Sequence, residues 1–224
     1  MVVEVVGPAG AGKTSVLAEL ARRSDRMQAI FDFRQPRYAA YLTLHGLLLL
    51  PRVLAWHRPG RISSWPEVRR LLRLSASRRI VEREAAKHAI VAVDQGPVYT
   101  IATLPEYEPG GLGSDGFDRW WKGLLRDWAA TLDVVISLDA PDEVLLARIR
   151  TRGKWHAVNA QSDGEARRLL ERYRGSFERT LAWLSADGSP KVLRYETGER
   201  SLDSIVQEAL AALQPGGTAV GGGA

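Results

Sequence analysis

The 224-residue chain contains no cysteine. That excludes a disulfide framework, a thiol nucleophile and any Cys-ligated zinc or iron–sulfur site, and it fits a reducing compartment. Long apolar runs are missing too. The most apolar stretch, from Leu42 to Leu50, holds His45 and Gly46 and ends at Pro51. It falls well short of the ~20 residues that span a bilayer. The opening MVVEVVGPAG carries Glu4 and no basic segment, so the expectation is a cytoplasmic chain without a secretory leader. Histidine is sparse, and His45, His57, His88 and His156 share no metal-ligand spacing, which argues against a metal site built on them.

What remains is an ordinary globular composition, 45% hydrophobic and 25% charged, long enough for one α/β domain with a sizeable core. The net charge is +5 and the pI about 9.7. A basic balance raises the question of nucleic acid. However, 26 of the 31 cations are Arg, scattered and interleaved with Glu and Asp, as in Arg167-Arg168 and Glu171-Arg172. Such spacing describes solvated helix faces with pairs four residues apart. No nucleic-acid partner is expected from it; a small phosphorylated ligand would suit the same sign of charge.

Five short β-rich runs predict strands at Val2–Val6, Ala29–Phe33, Ala89–Asp94, Val134–Asp139 and Lys191–Glu196. Amphipathic stretches predict helices at 14–23, 65–87, 117–131, 141–151, 164–184 and 201–213. Pro66 and Pro141 sit in first turns, with Glu67 or Asp142 and Glu143 at the positive helix end. This alternation predicts a three-layer α/β/α architecture around a five-stranded, mostly parallel sheet. Residues 1–213 read as one domain. Residues 34–61 read as irregular, 105–116 as a mobile Gly-rich loop, 152–164 as a loop between helices, and 214–224 as a disordered tail. Trp120, Trp121 and Trp128 form a stripe that is expected to pack in the core, although a stacking platform is the alternative.

One motif dominates. Gly7-Pro8-Ala9-Gly10-Ala11-Gly12-Lys13-Thr14 matches G-x-x-x-x-G-K-[ST], after a predicted strand and before a predicted helix that starts near Ser15. Glycines let the loop turn its backbone N–H groups toward phosphate oxygens. The helix adds its positive end, Lys13 a point charge on the β- and γ-phosphates, and the Thr14 hydroxyl a ligand for Mg²⁺. The expected cofactors are therefore ATP and Mg²⁺, held on residues 7–15. Asp94 closes an apolar strand at the carboxyl end, where open α/β sheets bind ligands. It can hold the metal or orient an acceptor hydroxyl; the alternative is that it caps Gln95-Gly96-Pro97.

The chain resembles the thymidylate kinase and deoxynucleoside kinase branch of P-loop kinases, in pieces that run in the family's order over nearly its whole length. After GPAGAGKT come FRQP (33–36), VDQGP (93–97), LDAPDEVLLARIRTRGK (138–154) and RYETGERSLDSI (194–205). The resemblance implies an ATP-dependent phosphotransferase, with an acceptor-binding region near 34–88 and an Arg-bearing lid near 148–164. It also implies that Thr197, Gly198 and Glu199 lie by the adenine.

The lid arginines have a reason of their own. Arg148 and Arg152 lie four apart on one helix face, where they can close over the transferring phosphoryl group and exclude water; Arg150, which points elsewhere or toward the loop, is a third candidate for the triphosphate. Two departures stand out. Gln95 occupies the place of the Arg that grips an acceptor phosphate in thymidylate kinases, and Gln35 that of the usual carboxylate. Asp32, Arg34 and Arg37 are the nearby substitutes. Residues 38–61 match neither branch, so the acceptor is left open among nucleosides, nucleotides and sugar-like alcohols. The competing readings are thymidylate kinase proper and a nucleotide-dependent switch, although the Asn-Lys-x-Asp guanine reader of GTPases does not occur. The sequence does not decide between a monomer and a homodimer.

Overall fold

The computed structural model describes residues 1–33, 35–56, 65–104, 115–153, 156–186 and 188–214. Its elements are β1 (Val2–Val6), α1 (Lys13–Arg23), β2 (Met27–Ile30), α2 (Pro36–Trp56), α3 (Trp65–Ala85), β3 (Ile90–Asp94) and α4 (Pro97–Ala102). They continue with α5 (Asp115–Thr131), β4 (Val134–Asp139), α6 (Asp142–Thr151), a 3₁₀ turn (Ala157–Ala160), α7 (Asp163–Leu184), β5 (Lys191–Glu196) and α8 (Leu202–Ala212).

The five strands form one sheet in the order β2-β3-β1-β4-β5, with every neighbouring pair parallel. The central strand β1 shows why the domain has three layers. Its residues alternate between faces. Val2 and Val6 pack with Leu71, Leu74, Leu125 and Trp128 from α3 and α5, whereas Val3 and Val5 pack with Val16, Leu17, Ile149 and Ile205 from α1, α6 and α8. Both faces of β1 are therefore covered, and its run is apolar apart from Glu4. Trp121 and Trp128 are buried in the first layer, and Trp128 Nε1 donates to the Leu74 carbonyl at 3.1 Å, so the tryptophan stripe is core.

Three segments differ from the sequence expectation. The second strand is Met27–Ile30, not Ala29–Phe33. Met27 to Ile30 align with Ile90 to Val93 of β3, while Phe33 is buried beyond the strand's end. The apolar run thus marked burial, not pairing. Residues expected to be irregular form the 21-residue helix α2, which runs through Pro51 and lies along α3. Pro36 opens it at a position where the missing N–H costs nothing. The short helix α4, also begun by a Pro, follows Gly96 directly. Of the loop expected at 105–116, residues 105–114 lie outside the described residues, as does the tail beyond residue 214, while Asp115 and Gly116 open α5. Among the described residues, no helix is long and apolar enough to cross a membrane.

Candidate active site

The loop between β1 and α1 takes its shape from the glycines that the motif supplies. Gly7 has φ 142°, and a Cβ there would stand 2.1 Å from the Leu138 carbonyl oxygen. Gly10 has φ 85°, with the Leu145 carbonyl oxygen 2.8 Å from the same imagined atom. No side chain fits at either position. The loop is thus pressed against β4 and α6, and its remaining side has α1 beginning at Lys13. The Lys13 ammonium donates to the carbonyls of Gly7 at 2.9 Å and Pro8 at 2.8 Å. Burial pushes its pKa down to about 8, with Asp94 opposing and Arg152 assisting that fall.

Parallel pairing of β1 with β3 sets Val5 beside Asp94, which brings the end of β3 to the loop. Thr14 Oγ1 donates to Asp94 Oδ2 at 3.0 Å. Asp94 is buried, and its Oδ1 has no hydrogen-bond partner. A buried carboxylate oxygen left unpaired is costly, and hydroxyl plus carboxylate is the oxygen donor set of a hard divalent cation. The pair therefore fits Mg²⁺. Among the described residues no group of three or more His, Cys, Asp and Glu gathers for a metal. A cation here would need oxygens from its ligand or water as well.

The loop is the floor of a cavity of about 560 Å³, whose further walls are Asp94, Gln95, Tyr99, Arg148, Arg152, His156, Tyr173, Phe177, Thr197 and Arg200. Gly7 through Ser15 all contribute, as the motif predicts. Asp94 is the one carboxylate among these lining residues, against the cations Lys13, Arg148, Arg152 and Arg200. The balance suits a polyanion. The Tyr99 and Phe177 rings stand 6.2 Å apart, centroid to centroid, and give the wall by Asp94 an aromatic character.

Each lid arginine has its own surroundings. Arg148 reaches the Gly10 carbonyl at 3.3 Å, Thr197 Oγ1 at 3.0 Å and the Thr197 carbonyl at 2.7 Å, tying the phosphate loop to the turn after β5. Arg152 lines the cavity on the same face. Arg150 leaves it and pairs with Asp163 at 2.7 Å. Arg174 braces the helix that carries them, binding Asp139 at 2.7 Å, Asp142 at 2.6 Å and the Ala140 carbonyl at 2.9 Å. In the turn after β5, Thr197 lines the cavity, while the amides of Gly198 and Glu199 donate to the Glu196 carboxylate at 2.6 and 3.2 Å.

The expected acceptor residues are only partly gathered. Gln95 lines the cavity and holds φ 54°, a left-handed conformation unusual for a residue with a side chain. Asp32 and Arg37 do not line it. The Arg37 guanidinium lies 4.6 Å from the centroid of the Tyr38 ring, in a groove between α2 and α3 with Arg83 and Lys87. Arg34 lies outside the described residues.

Sequence reasoning missed Glu4, Tyr99, His156, Tyr173, Phe177 and Arg200. Glu4 had a visible signal, a carboxyl inside an otherwise apolar central strand. It has no exposed surface and accepts from the amides of Val98 at 2.8 Å and Tyr99 at 3.0 Å. Burial pushes its pKa up to about 8; those backbone bonds oppose the rise and Asp94 adds to it. Glu4 thereby fastens the turn that follows Asp94 and Gln95. A Cβ on Gly96 would stand 2.8 Å from the Glu4 carboxyl carbon, so the fit depends on a glycine there. The other five have no motif; the fold alone gathers them.

No protein-family model matches the chain, and no curated protein matches it by sequence. Solved structures do match in fold. Deoxyadenosine kinase from M. mycoides with the products dCMP and a flexible dCDP superposes with a TM-score of 0.54 at 15% identity, covering 95% of this chain and 98% of that one. The same kinase with dCTP gives 0.53 at 14% identity over 95% and 98%. With dATP it gives 0.52 at 14% identity over 95% and 99%. The expected three-layer α/β/α fold is thus shared with these solved kinase structures, and its sheet is parallel throughout.

Proposed function

We propose that the chain is a Mg²⁺-dependent kinase that moves the γ-phosphoryl group of ATP to the hydroxyl of a small-molecule acceptor. The observation that carries this reading is the Thr14–Asp94 contact at 3.0 Å across a phosphate loop, with the second Asp94 oxygen buried and unpaired. The likeness in fold to a deoxynucleoside kinase supports it.

In this reading the loop amides and Lys13 hold the β- and γ-phosphates, and Arg152 closes from the lid. Thr14, with Asp94 beside it, would hold Mg²⁺, which neutralises charge on the transferring group. Arg148 positions the loop against the Thr197 turn, and the adenine rests by Thr197 and Arg200. The acceptor enters by Gln95, Tyr99, Tyr173 and Phe177. Its hydroxyl oxygen forms the new bond to the γ-phosphorus as the bond from that phosphorus to the bridging oxygen breaks. ADP leaves with the bond's electron pair, and the hydroxyl proton passes to an oxygen of the transferred phosphoryl group.

Gln95 brings no cation to that end, so we place the acceptor among unphosphorylated alcohols with a planar face, closer to a nucleoside than to thymidylate. No described residue of the acceptor region expected near 34–88 lines the cavity; the lid near 148–164 and a cytoplasmic location belong to the same proposal. The test is ADP release from ATP with a panel of nucleosides, nucleoside monophosphates, sugars and aminoglycoside-like alcohols. The expected result is turnover with an uncharged acceptor that Asp94→Asn abolishes. Turnover with dTMP alone would return the assignment to thymidylate kinase. ATP consumption indifferent to every acceptor would favour a switch protein.

A further inference from the structure

His156 belongs to none of the sequence motifs, yet it lines the phosphate cavity with Lys13 and Arg152. It precedes the 3₁₀ turn in the lid, and its Nδ1 accepts a hydrogen bond from the Val158 amide at 3.2 Å. A ring nitrogen that accepts carries no proton, so the imidazole is neutral and its one hydrogen sits on Nε2. Burial, followed by the Lys13 ammonium, holds its pKa below the usual histidine value, in agreement with that tautomer. The ring therefore offers a donor of fixed identity at its far edge. A third cation beside Lys13 and Arg152 would repel both; a neutral N–H adds a hydrogen bond without that repulsion.

We propose that His156 is a phosphate-contacting residue of the lid, whose Nε2–H donates to a terminal phosphate oxygen of the bound triphosphate. The inference rests on the ATP reading above. It assigns the lid a means of telling ATP from ADP, because Lys13 marks the β- and γ-phosphate end of the loop.

The competing account makes His156 only a cap for the 3₁₀ turn, and two substitutions separate the accounts. In His156→Asn the amide oxygen can take over the bond from Val158, but the side chain stops short of the ring's far edge. In His156→Gln an amide N–H reaches about as far as Nε2. Calorimetric titration of the full chain with Mg–ATP and with Mg–ADP reads binding directly, without turnover. The expected result is about a tenfold loss of ATP affinity in His156→Asn, the scale of one hydrogen bond to a charged group. ADP affinity should change less than twofold, and His156→Gln should recover most of the loss. Equal ATP affinity in wild type and His156→Asn would overturn the proposal and leave His156 a cap. Equal losses for ATP and ADP would overturn it as well, since the contact would not be with the terminal phosphate. A wild type that takes up neither nucleotide would instead remove the ATP reading itself, and this inference with it.

Discussion

Replacing Glu4 with Gln should change how the stability of this protein depends on pH. Glu4 has no exposed surface, and its pKa is pushed from 4.5 up to about 8, first by burial and then by Asp94, against the pull of the Tyr99 and Val98 amides. Between those values the unfolded chain has released this proton and the folded chain has kept it. The folded state binds more protons, so stability falls as pH rises, by at most ~1.4 kcal/mol per pH unit for one group. The contribution is fully present below about pH 4.5 and is lost as pH climbs through about 8. The whole span amounts to roughly 5 kcal/mol at the ceiling.

Gln cannot ionise, but it accepts on one oxygen where Glu4 accepts on two. That lost bond costs ~1–3 kcal/mol at every pH. Glu4→Gln should therefore be the less stable protein at pH 5 and should draw level with or overtake the wild type by pH 8. Urea unfolding followed by tryptophan fluorescence at pH 5, 6, 7 and 8 measures the difference. Parallel curves for the two proteins would refute the reasoning, because they would mean that the amides keep Glu4 ionised in the folded state.

Gly96→Ala should destabilise the fold by ~1–3 kcal/mol in the same assay, because its Cβ would press on Val93 and on the Glu4 carboxyl; an unchanged midpoint would show that the turn has slack. Arg148→Lys keeps the charge but cannot bridge Gly10 and Thr197 together. ATP affinity should fall several-fold, and affinity equal to wild type would show that the bridge plays no part in binding. The free site loses the Lys13 proton as pH rises through about 8. ATP affinity measured by titration should therefore be flat near pH 7 and fall up to tenfold per pH unit above about 8. A flat profile to pH 9.5 would place the Lys13 pKa outside that range.

The parts of the site legible in the sequence were those fixed by local backbone demands. Gly7, Gly10 and Gly12 with Lys13 and Thr14 form a contiguous loop whose spacing is set by its left-handed turns and its close approach to neighbouring backbone. Asp94 could be placed because an apolar strand ending in a carboxylate has few positions to go in a parallel sheet. Arg148 and Arg152 could be paired from helical periodicity alone. The aromatic wall of the cavity was not legible. Tyr99, Tyr173 and Phe177 come from two helices far apart in sequence, α4 and α7, and no spacing rule links them. Helix α2 was hidden for a related reason. Leu44, Leu47 and Leu48 are exposed at 57%, 62% and 64%, so the apolar pattern does not trace one buried face. The Pro51 that the helix accommodates also reads as a break. Asp32 and Arg37 lie beyond a strand that ends at Ile30, so closeness in sequence to it does not bring them to the cavity.

Uptake of a magnesium nucleotide by the loop at Gly7–Thr14 is the property from which the proposed chemistry follows. Equilibrium dialysis of the purified chain against radiolabelled Mg–ATP, with Lys13→Ala alongside, measures this directly. Saturable uptake of about one nucleotide per chain, weakened at least tenfold in Lys13→Ala while both proteins keep the same melting temperature, is the predicted result. Uptake unaffected by Lys13→Ala, or no uptake by folded wild-type protein, would contradict it.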